Sequence, residues 1–195
     1  MHLHFISPLD HQQFKNSHIA SERLRLSFIK EAAKQIGFKI TGGMSINNFP
    51  DIIYISKITR DMQKSILQII QKIKNTPINI LVDYTDDILG GVFEDERVKV
   101  YEELIKINST FVVPVEGLSK QLERRGKKTF FVPDGIDNIP IIEPCKKYNA
   151  KINILWNGHS SNINSLLRVI SNDLADFSYD LHIVSNAISF QILKE

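Results

Sequence analysis

The order of short apolar runs and amphipathic stretches predicts an α/β fold: a parallel sheet with flanking helices, followed by a partial second unit of the same kind. Three observations carry that expectation. Apolar runs alternate with stretches of helical periodicity along nearly the whole chain. The clearest such stretch, residues 60–74, puts Met62, Ile66, Ile69, Ile70 and Ile73 on one face and Lys64, Gln68, Gln71 and Lys72 on the other. The run at 51–56, DIIYIS, is apolar through its middle, as strands buried on both faces are.

The elements follow in order. Residues 3–6 read as a first strand ending at Ser7-Pro8, and a long polar loop, 9–20, follows it. Ser21 is placed to cap the next helix, with Leu24, Phe28 and Ile36 on its inner face and Gly37 as its stop. Residues 38–41 make a weak second strand before Gly42-Gly43, and 51–56 a third after Pro50. The 60–74 helix stops before Pro77, and 78–82 is a strand terminating in Asp83-Tyr84-Thr85-Asp86-Asp87. Glu94-Asp95-Glu96 opens a helix towards Ile107, where acids suit the positive end of the helix dipole. A strand at 110–113, a helix at 116–125 closed by Gly126, and a strand at 129–132 complete the first domain, residues 1–138. Pro140 and Pro144 mark a linker at 139–150. Within 151–195, a strand at 151–156, a helix at 163–172 and a strand at 181–184 make one βαβ unit, and 187–194 begins another helix. One such unit cannot cover both faces of a parallel sheet, so the second domain reads as partial.

Composition narrows the class. The 195 residues are 43% hydrophobic and 24% charged, an ordinary globular balance. A net charge of +2 does not supply the clustered basic face of a nucleic-acid binder. The single Cys145 excludes an internal disulfide and suits a reducing, cytoplasmic setting. No apolar run reaches the roughly 18 residues of a membrane span, and the start at Met1 lacks the basic and long apolar regions of a signal peptide.

Ligands of open parallel sheets bind at the carboxyl ends of the strands, where the 9–20 loop and the Asp83–Asp87 cluster both fall. Gly158 follows a strand and precedes a helix whose amino end favours an anion, with Ser160, Ser161 and Asn162 as further hydrogen-bonding groups. Four signals stand in sequence: Ser21-x-Arg23-x-Arg25, Val82-Asp83-Tyr84-Thr85-Asp86-Asp87, Phe131-Val132-Pro133-Asp134-Gly135-Ile136-Asp137, and Ile154-Leu155-Trp156-Asn157-Gly158-His159. In this order they resemble the GT-B glycosyltransferases of the group-1 or family-4 class, over essentially the whole chain from Leu3 to Val184.

The resemblance implies two Rossmann-like domains facing a cleft, here a complete acceptor-side domain and part of a donor-side one. It implies transfer of a hexose-like sugar from a nucleotide-sugar to a saccharide or lipid-linked acceptor, with no metal and no cofactor beyond the donor substrate. Asp83, Asp86 and Asp87 would be the catalytic acids, Ser21, Arg23 and Arg25 the acceptor contacts, and Gly158, His159, Ser160 and Ser161 the donor-phosphate contacts. The family's later acidic pair and basic residue have no counterpart after Val184, so weak donor binding and little transfer are expected of this chain. A partial second domain also suggests self-association through its uncovered faces.

Rival readings stand beside each signal. Arg23 and Arg25 can be solvated helix residues, the Asp83–Asp87 acids can cap the following turn, and Asp134-Gly135 can be a turn. His2 and His4 share a strand face and could meet His11 or His18 around a metal, but no Cys accompanies them. The basic side of the 60–74 helix offers a peripheral contact with anionic lipid, although its apolar stripe reads as core. As whole-protein alternatives, a non-catalytic binding domain of the same fold and a receiver-like signalling module both fit Asp83 at a strand end. The receiver lacks its acid pair near the first strand, where only Asp10 is found.

Overall fold

The computed structural model describes residues 1–17, 21–90, 96–134, 152–158 and 163–185. The chain divides into two compact units, Met1–Ile139 and Pro140–Glu195. The first is built on six strands, β1 (His2–Ile6), β2 (Lys39–Gly42), β3 (Ile52–Ile55), β4 (Asn79–Asp83), β5 (Ser109–Val113) and β6 (Lys128–Phe131). They form one parallel sheet in the order β2-β1-β3-β4-β5-β6. This is a Rossmann-like α/β architecture.

Helices α1 (Ser27–Gln35), α2 (Gln63–Ile73), α3 (Arg97–Lys106) and α4 (Glu116–Glu123) connect the strands. The larger core lies between one sheet face and α2, α3 and α4. There Ile6, Ile53, Ile55, Ile80, Val82 and Phe111 meet Ile66, Ile70, Val100, Leu104 and Leu122. All five apolar positions expected of the 60–74 helix are buried. The smaller core, on the α1 side, joins Leu3, Phe5, Phe14, Leu26, Ala33, Tyr54 and Val112. Its aromatic centre is Phe5, set edge-on to Phe14 with ring centroids 5.3 Å apart. The chain runs outward from β1 to β2, then returns past β1 to β3 and continues the other way. The order therefore reverses between β1 and β3, and a crevice opens at the carboxyl ends of those two strands.

The helix after the first loop departs from expectation. Ser21 does not cap it: its backbone is already helical (φ −60°, ψ −35°) and its side chain makes no capping bond. A π-helical turn, Glu22–Leu26, precedes α1. Such a turn inserts an extra residue and rotates everything after it around the helix axis. The inner face is accordingly Leu26, Lys30 and Ala33, while Phe28 (54% exposed) and Ile36 (72%) point to solvent. Gly37 does close the helix, at φ +82°, and Gly126 closes the turn after α4, at φ +74°.

In the second unit, β7 (Ile152–Asn157) and β8 (Tyr179–Val184) pair in parallel and α5 (Ile163–Asp173) connects them. The expected linker at 139–150 and the helix at 187–194 lie outside the described residues. Among the described residues no helix is long and apolar enough to cross a membrane.

Candidate functional site

Two cavities adjoin at the switch point of the first unit. One, of about 210 Å³, is lined by Pro8, Ser21, Glu22, Leu26, Ser56, Lys57, Thr59 and Asp83. The other, of about 190 Å³, is lined by Ser21, Leu24, Arg25, Lys57, Thr85, Asp86 and Asp134. Ser21 and Lys57 belong to both walls. Pro8 comes from just beyond β1, Ser56 and Lys57 from just beyond β3, and Asp83 ends β4.

Arg25 organises the floor. Its Nε donates to Asp83 Oδ1 at 2.9 Å and Oδ2 at 3.2 Å, and its Nη2 donates to Asp83 Oδ1 at 2.7 Å. Nη1 donates to the Val132 carbonyl at 3.0 Å and to Asp134 Oδ1 at 2.6 Å. The Arg25 and Asp83 side chains are only 3% and 1% exposed. Burial opposes the charge on Arg25, but the hydrogen bonds and charge of Asp83 outweigh it and hold the guanidinium above its ordinary value. Burial likewise lifts the Asp83 carboxyl above the usual carboxylate range, and Arg25 pulls against that shift. The Tyr54 phenol, buried beside the pair, is raised well above its usual range, by desolvation first and the Asp83 charge second.

A second buried carboxylate holds the first loop to the helix. Glu22 Oε1 accepts from Ser7 Oγ at 2.9 Å, and Oε2 accepts from Ser17 Oγ at 2.7 Å. At the cavity mouth Lys57 Nζ pairs with Asp86 Oδ2 at 2.8 Å, and Arg97 Nη1 lies 3.9 Å from the same oxygen.

Ser21, Arg25, Asp83 and Asp86, four of the six residues expected on this side of the cleft, are thus brought together. The other two are engaged elsewhere. Arg23 Nη1 donates to the Ser17 carbonyl at 3.0 Å. Asp87 Oδ1 accepts from the Gly90 amide and from Gln121 Nε2, both at 2.8 Å, so Asp87 holds the following turn. Arg25 is no solvated helix residue, and Asp134 is an ion-pair partner as well as the start of the Asp-Gly dipeptide.

In the second unit Gly158 follows β7 and its amide donates to the Val184 carbonyl at 3.1 Å. A Cβ there would stand 2.7 Å from the Trp156 ring, so the indole already fills the space a side chain would take. His159, Ser160 and Ser161 lie outside the described residues.

The histidines of β1 converge on a hydroxyl. His2 Nε2 and His4 Nδ1 each lie 2.7 Å from Thr41 Oγ1 on β2. Among the described residues no group of three or more His, Cys, Asp or Glu side chains is set to hold a metal ion.

Sequence reasoning passed over Glu22, Ser56 and Lys57. Ser56 and Lys57 had a usable signal, since they directly follow a strand at the carboxyl edge. No family model and no curated protein matches the chain.

Proposed function

We propose that the chain is a sugar-nucleotide-dependent glycosyltransferase, with Met1–Ile139 as its acceptor-side unit and the cavities at the switch point as the acceptor site. One observation carries this reading. A single side chain, Arg25, ties together three of the four segments on which the glycosyltransferase resemblance rests: its own helix start, Asp83 at the end of β4, and Val132 with Asp134. Motifs far apart in sequence that share one buried guanidinium behave as parts of one site.

The roles divide by exposure. Arg25 and Asp83 spend their hydrogen bonds on one another and act as positioning residues for the cavity floor. Asp86 is 43% exposed at the mouth and can accept hydrogen bonds from acceptor hydroxyls, while Lys57 holds it in place. In a transfer reaction the acceptor hydroxyl attacks the anomeric carbon of the donor, the bond to the nucleotide phosphate breaks, and the hydroxyl proton passes to a base. Asp86 is the carboxylate at the mouth best placed to accept that proton. The receiver alternative finds little at the site: Asp83 is fully buried in an ion pair, and Ser7-Pro8 rather than an acid pair follows β1.

The test is a transfer assay on the whole chain with radiolabelled uridine- and guanosine-diphosphate hexoses, oligosaccharides and lipid extract, with products resolved by mass spectrometry. Labelled glycoside that disappears in Asp86→Asn, or a saccharide-dependent shift of the Ser21 and Lys57 amides, supports the reading. No glycoside product, together with no saccharide-dependent shift of the Ser21 and Lys57 amides, overturns it.

A further inference from the structure

We infer that the two adjoining cavities are a subsite for a neutral glycosyl unit, gripped by hydroxyls and a carboxylate and closed to phosphorylated sugars by the surrounding acids. The inference rests on the glycosyltransferase reading and fixes the charge of the acceptor unit that the site takes.

The first support is a set of hydroxyls with nothing to bond. Ser56 is 3% exposed and lines the first cavity, and among the described residues its side chain has no hydrogen-bond partner. Thr85 Oγ1, in the wall of the second cavity, is buried and equally without a partner. Ser21, shared by both walls, makes no capping bond. Buried polar atoms are nearly always hydrogen-bonded, so the unpaired Thr85 hydroxyl, with Ser21 and Ser56 on the same walls, calls for a ligand that supplies both donors and acceptors. Sugar hydroxyls do both.

The second support is charge. Glu22, Asp83, Asp86 and Asp134 line the cavities against only Arg25 and Lys57. Arg25 is taken by Asp83 and Asp134, and Lys57 by Asp86. A phosphate entering here would lie beside carboxylates within a screening length of about 8–10 Å, and would have to displace one of them from its cation. A neutral sugar meets no such opposition. Asp86 binds Lys57 through Oδ2 alone, which leaves Oδ1 to accept a sugar hydroxyl, and the Lys57 ammonium has further N–H donors to give. Each cavity alone falls below the roughly 300–1,000 Å³ of small-molecule sites, but the two share Ser21 and Lys57 and together reach that range.

The experiment titrates the whole ¹⁵N-labelled chain, at low ionic strength, with methyl glucoside, methyl mannoside and methyl N-acetylglucosaminide, and with the 6-phosphate of each. The amides of Ser21, Ser56, Lys57 and Thr85 are followed. At least one neutral glycoside should shift them, with an affinity roughly tenfold or more above that of its 6-phosphate. Asp86→Asn should weaken the neutral glycoside and narrow that gap. Ser56→Ala should weaken it with the gap intact, circular dichroism confirming the fold of both variants. A 6-phosphate that binds as tightly as its neutral partner overturns the charge selection and leaves the glycosyltransferase reading standing. Transfer activity without any glycoside shift at these amides overturns the subsite alone. Silence in both experiments overturns both.

Discussion

Replacing Arg25 with Met removes the guanidinium from the floor of the cavity and leaves Asp83 behind. Asp83 is fully buried, and it loses all three N–H···O contacts that Arg25 makes, at 2.7, 2.9 and 3.2 Å. Breaking a buried pair by deleting one partner costs about 3–5 kcal/mol, because the remaining charge is uncompensated. A domain is stable by about 5–15 kcal/mol in total, so Arg25→Met should remove about a fifth of that margin or more. The slope of a urea titration is about 1–3 kcal/mol per molar, so the unfolding midpoint should fall by about 2 M. Far-UV circular dichroism follows the transition, and Trp156, the single tryptophan of the chain, reports on the second unit by fluorescence.

The double variant Arg25→Met with Asp83→Leu sharpens the test. Exchanging both members of a buried ion pair for apolar residues is often neutral or stabilising. The double variant should therefore recover most of the lost stability, although it still forfeits the bonds from Arg25 to Val132 and Asp134. A loss below about 1 kcal/mol in the single variant, the value of a surface pair, would refute the claim that this ion pair fixes the floor. A double variant less stable than the single one would refute the desolvation argument.

Three other outcomes follow from the same contacts. Glu22→Ala leaves the buried Ser7 and Ser17 hydroxyls without their shared acceptor; chemical denaturation should show a loss of about 1–3 kcal/mol, and Glu22→Gln, which keeps an acceptor, should lose less. His2, His4 and His11 are all held below the ordinary value of 6.5, by burial in each case first. Between those depressed values and 6.5 the unfolded chain binds more protons, so the stability they contribute is fully present above pH 6.5 and is lost as pH falls below it; melting temperature should drop from pH 7.5 to 5.5, and His4→Gln should flatten that slope. Gly42→Ala would bring a Cβ to 3.0 Å from His11 Cβ and 3.3 Å from the His11 amide nitrogen, so the first loop must shift, which faster hydrogen exchange at Gln12 and Gln13 would report.

The strands were legible because buried parallel strands are apolar runs. Ile53, Tyr54 and Ile55 on β3, and Ile80, Leu81 and Val82 on β4, form runs that no charged or amide side chain interrupts. The α2 face was legible for the matching reason: Met62, Ile66, Ile69, Ile70 and Ile73 are buried, while Lys64, Gln68, Gln71 and Lys72 are exposed. The π-turn into α1 defeated the same logic. Its buried positions include Glu22 and Arg25, and the Lys30 stem follows on α1. Glu22 and Arg25 are held inward by partners far away in sequence: Ser7, Asp83 and Asp134. A periodicity argument sees charge and assigns solvent, so Phe28 and Ile36 were put inside.

The candidate site shows the same inversion. The residues that looked most functional in sequence, Arg25 and Asp83, are the ones whose hydrogen bonds are consumed within the protein. The groups with capacity left for a ligand are the inconspicuous ones, Ser21, Ser56 and Thr85, with Lys57 and Asp86 beside them. Ser21, Thr85 and Asp86 fall inside the motifs but no motif marks Ser56 or Lys57, because a hydroxyl acquires a role only when the fold withholds its partners. The buried ion pair makes that possible: Arg25 spans the helix start, β4 and the segment after β6, and so fixes the distance across the crevice that the hydroxyls line. A floor made of apolar contacts alone would be as stable, but it would not set the spacing of three separate segments with one rigid group. On this account Arg25 acts on binding through the positions of Ser21 and Asp86. A variant that restores stability without the guanidinium, such as Arg25→Met with Asp83→Leu, should therefore fold well and still lose glycoside affinity. Wild-type affinity in that stable double variant would show that the pair serves the fold and not the site.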